Sequence, residues 1–560
     1  MKKTLLALSV SAVALTGAAH AQSASDLAAD AQTTDEIITY GMGYGQQRYS
    51  SLDQINADNV SSLAPVWTLS LADTNSNETF PILHDGTFYV TTHDATVAID
   101  AMTGKQKWKT YSDYPSDAKR ILCCGVHNRG VAIYEGKLFR GTPDAHVIAL
   151  DAETGEELWR TRSDDYKLGH NFTAAPQIAD GVIILPVAGS DYGIRGYIEG
   201  YDPETGEKLW RTYTIPGPGE QGHETWEGGG DAWQHGGAGG WITTSYDPEL
   251  NLIYMGTANA SPFNASVRPG DNLHTSSILA IEPKTGEIKW HYQTSPHDAF
   301  DYDSMNENVL ADIDGRKVLM HANKNGFLYT LDRETGELIA ANPFMGEGQI
   351  NWADGIDLET GRPNHTEVYH KAVSGEQVTV QPGYLGGKNY APMSYDQSTG
   401  NVYINTLILP FNHKNAEPVY TQGVMYVGVD MSFGVPEDGH AGDTVAINPM
   451  TGEVAWRQEL GVPRWGGIAS TAGGVVFTGE LTGEFSALDA ATGEVLWSYQ
   501  TGSAVSGQPV VWEKDGRQFV TVGNGGGATY DLVSGDDRIA NVPPGASIWT
   551  FALPEGGQDG

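Results

Sequence analysis

Apolar and polar positions follow one recurring pattern along this chain. An apolar pair ends in Asp, Glu or Asn; two residues later comes Thr-Gly, and after three more a large aromatic closes the unit. The pattern appears as AIDAMTGKQKW (98–108), ALDAETGEELW (149–159), GYDPETGEKLW (200–210) and AIEPKTGEIKW (280–290). It returns as TLDRETGELIA (330–340), AINPMTGEVAW (446–456) and ALDAATGEVLW (487–497), with Ala340 replacing the aromatic in the fifth copy. A degenerate copy, SYDQSTGNVYI, occupies 394–404. Each copy predicts a β-hairpin: a strand ends at the apolar-acidic pair, Thr-Gly turns with Gly at positive φ, and a second strand leads to Trp.

A lone hairpin cannot bury its apolar face, so the copies must stack. Trp is large enough to bridge to the next copy. Trp108, Trp159 and Trp210 recur at the length of a four-stranded propeller blade. The wider gaps, Trp210 to Trp290 and Ala340 to Trp456, have room for an extra blade or long loops. The expectation is an all-β, eight-bladed β-propeller with tryptophan-docking repeats, in one domain over 22–560. A β-helix or a set of sandwiches fits this periodicity less well. Segments 214–240 and 410–442 read as long inserted loops, a common place for function.

The first residues read as an export signal. Lys2 and Lys3 precede an apolar stretch from Leu5 to Leu15, and Ala19-His20-Ala21 is an A-x-A cleavage site. A signal peptide over 1–21 and a periplasmic location are expected. No later stretch is apolar enough to span a bilayer. The formal net charge of −37 disfavours nucleic acid and anionic membranes as partners. It suits either a basic protein partner or simple solubility. The chain has two cysteines, Cys123 and Cys124, and no C-x-x-C-H for a covalent haem.

Three places carry chemistry. Adjacent cysteines in an oxidising compartment should join. Neighbouring Cα atoms lie closer than a disulfide prefers, and the closed loop is too small to staple the fold, so a site role outweighs a stabilising one. Two free buried thiols are the alternative. Asp301 and Asp303 stand at i and i+2 and would point the same way from an extended strand; crowded carboxylates of this kind call for a cation. Trp241 follows a glycine-rich run, Gly228–Gly230 with Gly236, Gly237, Gly239 and Gly240, where clearance beside an indole would suit a flat ligand. A core Trp explains the same residues equally well.

Taken together, CCGVHNRG (123–130), YDPELNLIYMGTAN (246–259), RPGDNL (268–273), HYQTSPHDAFDYD (291–303) and HANKNG (321–326) resemble the pyrroloquinoline quinone-dependent alcohol dehydrogenases, the family of methanol and ethanol quinoprotein dehydrogenases. The likeness covers nearly the whole mature chain. It implies that Cys123-Cys124 and Trp241 cover the two faces of the quinone. Glu78, Arg129, Thr173, Lys324 and Asn389 then hold its polar groups, and Trp465 adds a further contact. Asp301 becomes the catalytic base with Lys324 polarising the reactive carbonyl region. Asp191, Asn259, Asp301 and Asp303 become the metal ligands.

The chain departs from the family twice. Asp191, in GSDYG, stands where the family has Glu, so the metal must shift or gain a ligand, and Asp303 could be that ligand. An acid two positions after the base resembles the lanthanide-dependent members, with Ca2+ the alternative. Tyr390 stands where Trp is common. The implied reaction is oxidation of an alcohol to an aldehyde or ketone, with electrons passed to a separate acceptor such as cytochrome c. A sugar or sugar-alcohol dehydrogenase and a non-enzymatic propeller scaffold are the rival readings.

Overall fold

A computed structural model describes residues 22–228, 230–434, 436, 439–526 and 537–555; the expected signal peptide lies outside them. The repeats form the expected hairpins. Strands Ala95–Asp100 and Gln106–Tyr111 flank the first turn. There Asp100 accepts the Thr103 amide and hydroxyl at 2.9 and 2.7 Å, and Gly104 adopts φ +69°. The same clasp recurs at Asp151/Thr154, Asp202/Thr205, Glu282/Thr285, Asp332/Thr335 and Asp489/Thr492.

Each hairpin is the outer half of a four-stranded antiparallel sheet. In chain order these sheets span 82–111, 132–162, 177–213, 245–293, 309–343, 394–460 and 469–500, and Tyr49–Ser50 adds a parallel fifth strand to the last of these. One further sheet joins the chain ends: Ala64–Ser70 pairs with Ser547–Ala552, beside Arg517–Asn524 and Val510–Lys514. First strands of neighbouring sheets abut, as Ala132–Tyr134 does Gln177–Ala179. The outer strands are half exposed. This is an all-β propeller.

The tryptophans dock as the repeat implies. A Cβ on Gly155 would come within 2.6 Å of the Trp108 ring, and the Trp108 indole N–H donates to the Ala152 carbonyl at 3.2 Å. Trp159, Trp210, Trp290 and Trp456 cover Gly206, Gly286, Gly336 and Gly493 in the same way. Asn342, on the same strand as Ala340, lies against Gly452. Trp67, outside any Thr-Gly copy, covers Gly104 and donates to Ala101 at 2.9 Å.

The degenerate copy is not a unit of its own. Its strands, Ser394–Asp396 and Asn401–Asn405, are the inner half of the sheet whose outer hairpin is the sixth full copy. The wide gaps hold insertions rather than extra sheets of four strands. Residues 214–228 and 230–244 are irregular apart from two short 3-10 turns, His223–Thr225 and Ala232–His235. The other gap holds helix Glu367–Ser374 and a three-stranded sheet of Val378–Val380, Phe411–Asn415 and Val429–Phe433. This insert builds a satellite core of Trp352, Tyr369, Tyr384 and Phe411 that receives Phe300 and Tyr302. No helix among the described residues is long and apolar enough to cross a membrane.

Candidate active site

The chemistry-bearing residues lie on loops at one end of the sheets. Glu78, Cys123, Cys124, Arg129, Thr173, Trp241, Asp301 and Asn389 precede first strands; Asp191, Asn259 and Lys324 follow second strands. The loops converge on one cleft that all of these residues line.

Cys123 and Cys124 are joined, with Cα atoms 3.8 Å apart, and together with the Trp241 indole they line this cleft. Arg129 ties the wall together. Its guanidinium pairs with Glu78 at 2.6 Å, donates to the Thr173 hydroxyl at 3.0 Å and to the Trp241 carbonyl at 2.8 Å. It also lies 5.0 Å from the Trp241 ring centre. Its buried Nε has no hydrogen-bond partner among the described residues. Asn389 donates to the Leu385 carbonyl at 2.9 Å.

At the acidic end, Lys324 Nζ pairs with Asp301 at 2.9 Å and Asp303 at 3.1 Å. Asp303 also accepts the Asn259 backbone amide and the Trp241 indole N–H, and the Asn259 side chain donates to Asp191 at 3.2 Å. Burial, with the Asp303 charge adding, pushes Asp191 up to about 6. Burial lifts Asp301 well above the usual carboxylate range; Lys324 opposes this, and Asp303 and Asp191 reinforce it. Burial works against the Lys324 ammonium, but the two carboxylates hold its pKa above that of a free lysine. Among the described residues lining this end, Asp191, Asp301 and Asp303 share the Lys324 ammonium, so it is short of positive charge.

Two expectations about local geometry need correction. Asp301 and Asp303 converge without a strand: Asp301 sits at φ +61° in irregular backbone between Phe300 and Tyr302, whose buried rings anchor the turn on the insert's core. Gly237 and Gly239 before Trp241 serve backbone approach rather than a flat ligand. A Cβ on Gly239 would meet the Val187 carbonyl at 2.5 Å, and one on Gly237 the Asn259 carbonyl at 2.5 Å.

The family model "Glucose/ethanol/alcohol dehydrogenase, beta-propeller domain" matches residues 38–341. Quinoprotein alcohol dehydrogenase PedH of Pseudomonas putida is 38% identical, with 98% of this chain and 96% of the relative covered. Quinoprotein ethanol dehydrogenase of Pseudomonas aeruginosa is also 38% identical, covering 94% and 92%. This chain belongs to the quinoprotein alcohol dehydrogenase family. Among solved structures, a europium-containing methanol dehydrogenase superposes with a TM-score of 0.88 at 32% identity, over 94% of this chain and all of the other. A model for the outer membrane protein assembly factor BamB matches only 440–553. The near-complete coverage by quinoprotein dehydrogenases leaves the scaffold reading without support.

The cleft of this family member brings together Glu78, Cys123, Cys124, Arg129, Thr173, Asp191, Trp241, Asn259, Asp301, Asp303, Lys324 and Asn389. Trp465 is not on its wall; it is buried edge-on behind Tyr390, with ring centres 5.7 Å apart. Sequence reasoning did not single out His127, Asn171, Ser190 or Tyr384, which also line the cleft. His127 lies inside the CCGVHNRG motif, and Asn171 two residues before Thr173, so proximity to singled-out residues was the available signal. Burial pushes the His127 imidazole down to about 4, so it is a neutral hydrogen-bonding group rather than a cation.

Proposed function

We propose that this protein is an eight-bladed, periplasmic quinoprotein that oxidises an alcohol to an aldehyde or ketone. It uses pyrroloquinoline quinone and one metal ion and passes electrons to a separate protein such as cytochrome c. The observation that carries this reading is the convergence of Asp191, Asn259, Asp301 and Asp303 at one end of a cleft walled by a vicinal disulfide and an indole.

The residues present fit both groups. The unpartnered Arg129 Nε, with Thr173 and Asn389, suits a flat ligand bearing carboxylates and carbonyls. The charge-deficient acidic end suits a cation, held by Asp191, Asn259, Asp301 and Asp303. An additional carboxylate at position 303 favours a trivalent lanthanide over Ca2+, because attraction grows with the charge of the ion. Held by these residues, the quinone would supply a hydride acceptor and the metal ion a Lewis acid. The chain's own residues do the rest. Asp301 takes the hydroxyl proton as general base. Lys324 holds the Asp301 carboxylate in place, and the disulfide and indole orient the flat ring. Trp465 contributes through Tyr390.

The test is dye-linked oxidation by purified apoprotein given the quinone with Ca2+ or with La3+, across short alcohols and sugar alcohols. Turnover of alcohols with La3+ supports the reading. Turnover with Ca2+ alone would reverse the metal assignment. No turnover with either ion, and no quinone retained on gel filtration, would sink the enzyme reading.

A further inference from the structure

We infer that Asp298 is a positioning residue that sets the orientation of Asp301; this rests on Asp301 being the base. Asp298 is buried, and its two carboxylate oxygens divide between the backbone amides on either side of Asp301. Oδ1 accepts the Phe300 N–H and Oδ2 the Tyr302 N–H, each at 3.0 Å. Asp301, fixed between them, adopts φ +61°. A non-glycine residue in that region costs about 1 kcal/mol or more and persists only where its surroundings enforce it. The enforcing groups are visible. The Phe300 and Tyr302 rings are buried, and the Tyr302 hydroxyl donates to the Pro382 carbonyl at 2.6 Å. Asp298 pins the two peptide units that define the turn.

Asp298 is held from behind. The buried Arg268 guanidinium donates to the Asp298 carbonyl, to the Pro262 carbonyl at 2.7 Å and to Asn272 Oδ1 at 2.7 Å. Arg268 and Asn272 come from the RPGDNL stretch, which has no place on the cleft wall. That stretch therefore serves the base at one remove. Neither oxygen of Asp298 points to the reacting groups: both are used on the backbone. Its contribution is the direction in which the Asp301 carboxylate leaves the chain.

Asp298→Ala removes both clamps, and Asp298→Asn keeps one oxygen acceptor. A displacement of about 1 Å at a reacting group can cost on the order of 100-fold. The expected result is a fall in kcat of about 10- to 100-fold for Asp298→Ala and a smaller fall for Asp298→Asn. KM and quinone binding, followed by tryptophan fluorescence, should stay within about twofold. Hydrogen exchange in the apoprotein should show the Phe300 and Tyr302 amides losing protection. In an Asp301→Ala background, adding Asp298→Ala should leave the residual rate unchanged, because a residue that acts through Asp301 has nothing left to position. A kcat within twofold of wild type for Asp298→Ala overturns the inference. So does a loss that repeats in full in the Asp301→Ala background. If Asp298→Ala does not fold, Asp298→Asn decides: a well-folded Asn variant with unaltered kcat and amide protection also overturns it. Near-wild-type activity of Asp301→Asn would instead remove the underlying assignment of the base.

Discussion

Lys324 is the internal counterion of the acidic end, and its removal should destabilise the apoprotein by a calculable amount. Its ammonium is buried and lies 2.9 and 3.1 Å from two carboxylates. At an effective dielectric of about 20, each contact represents roughly 5–6 kcal/mol of attraction before desolvation is charged against it. Desolvation cancels much of that. Removing one partner of a buried pair still costs about 3–5 kcal/mol, because the other partner is left buried and uncompensated. Lys324→Met keeps the apolar stem and deletes only the charge. With an unfolding entropy of about 2 cal/mol/K per residue, a domain of this size loses roughly 1 °C of Tm per kcal/mol. The chelated, quinone-free Lys324→Met protein should therefore melt about 3–5 °C below wild type at pH 8, by calorimetry at a fixed scan rate. La3+ should close most of that gap, since a cation bound by Asp191, Asp301 and Asp303 replaces the missing charge. A variant that melts level with or above wild type without metal would refute the claim that these carboxylates depend on Lys324.

Other expectations follow from particular contacts. Trp159→Ala should cost about 3–5 kcal/mol in urea unfolding, since the ring covers Gly206 and its N–H reaches the Pro203 carbonyl at 3.3 Å; a loss under 1 kcal/mol would mean that the docked tryptophans do not tie the sheets together. Cys123→Ser/Cys124→Ser should weaken quinone binding at least tenfold in a fluorescence titration while leaving Tm within about 2 °C, because a two-residue loop adds little to the unfolded-state constraint; unchanged quinone affinity would remove the disulfide from the binding site. Asp303→Asn should lower La3+ affinity more than Ca2+ affinity by isothermal titration, and equal losses would count against a lanthanide preference.

What could be read from the sequence was what acts locally. Asp100, Thr103 and Gly104 form a complete turn within five residues, so the hairpins were visible without any knowledge of the fold. Trp67 was not, because it belongs to the sheet where Ala64–Ser70 meets Ser547–Ala552, a pairing that no local pattern announces. The degenerate copy at 394–404 misled for the opposite reason: it has the turn, but its strands face the centre of the propeller. The site divides along the same line. Cys123, Cys124, Arg129, Asn259, Asp301, Asp303 and Lys324 touch the cleft and lie in motifs whose resemblance to a family implies roles for them. Asp298 and Arg268 also lie in such motifs, but Asp298 caps two backbone amides and Arg268 holds backbone carbonyls and Asn272, and an acid that caps two amides looks in sequence like any other acid. The pair Asp301 and Asp303 is the instructive case. Strand alternation and a left-handed bend both bring the two carboxylates together, so their proximity was legible although the backbone geometry behind it was not. The difference matters chemically. A strand would need nothing to hold Asp301, whereas a residue at φ +61° needs the clamp that Asp298 supplies.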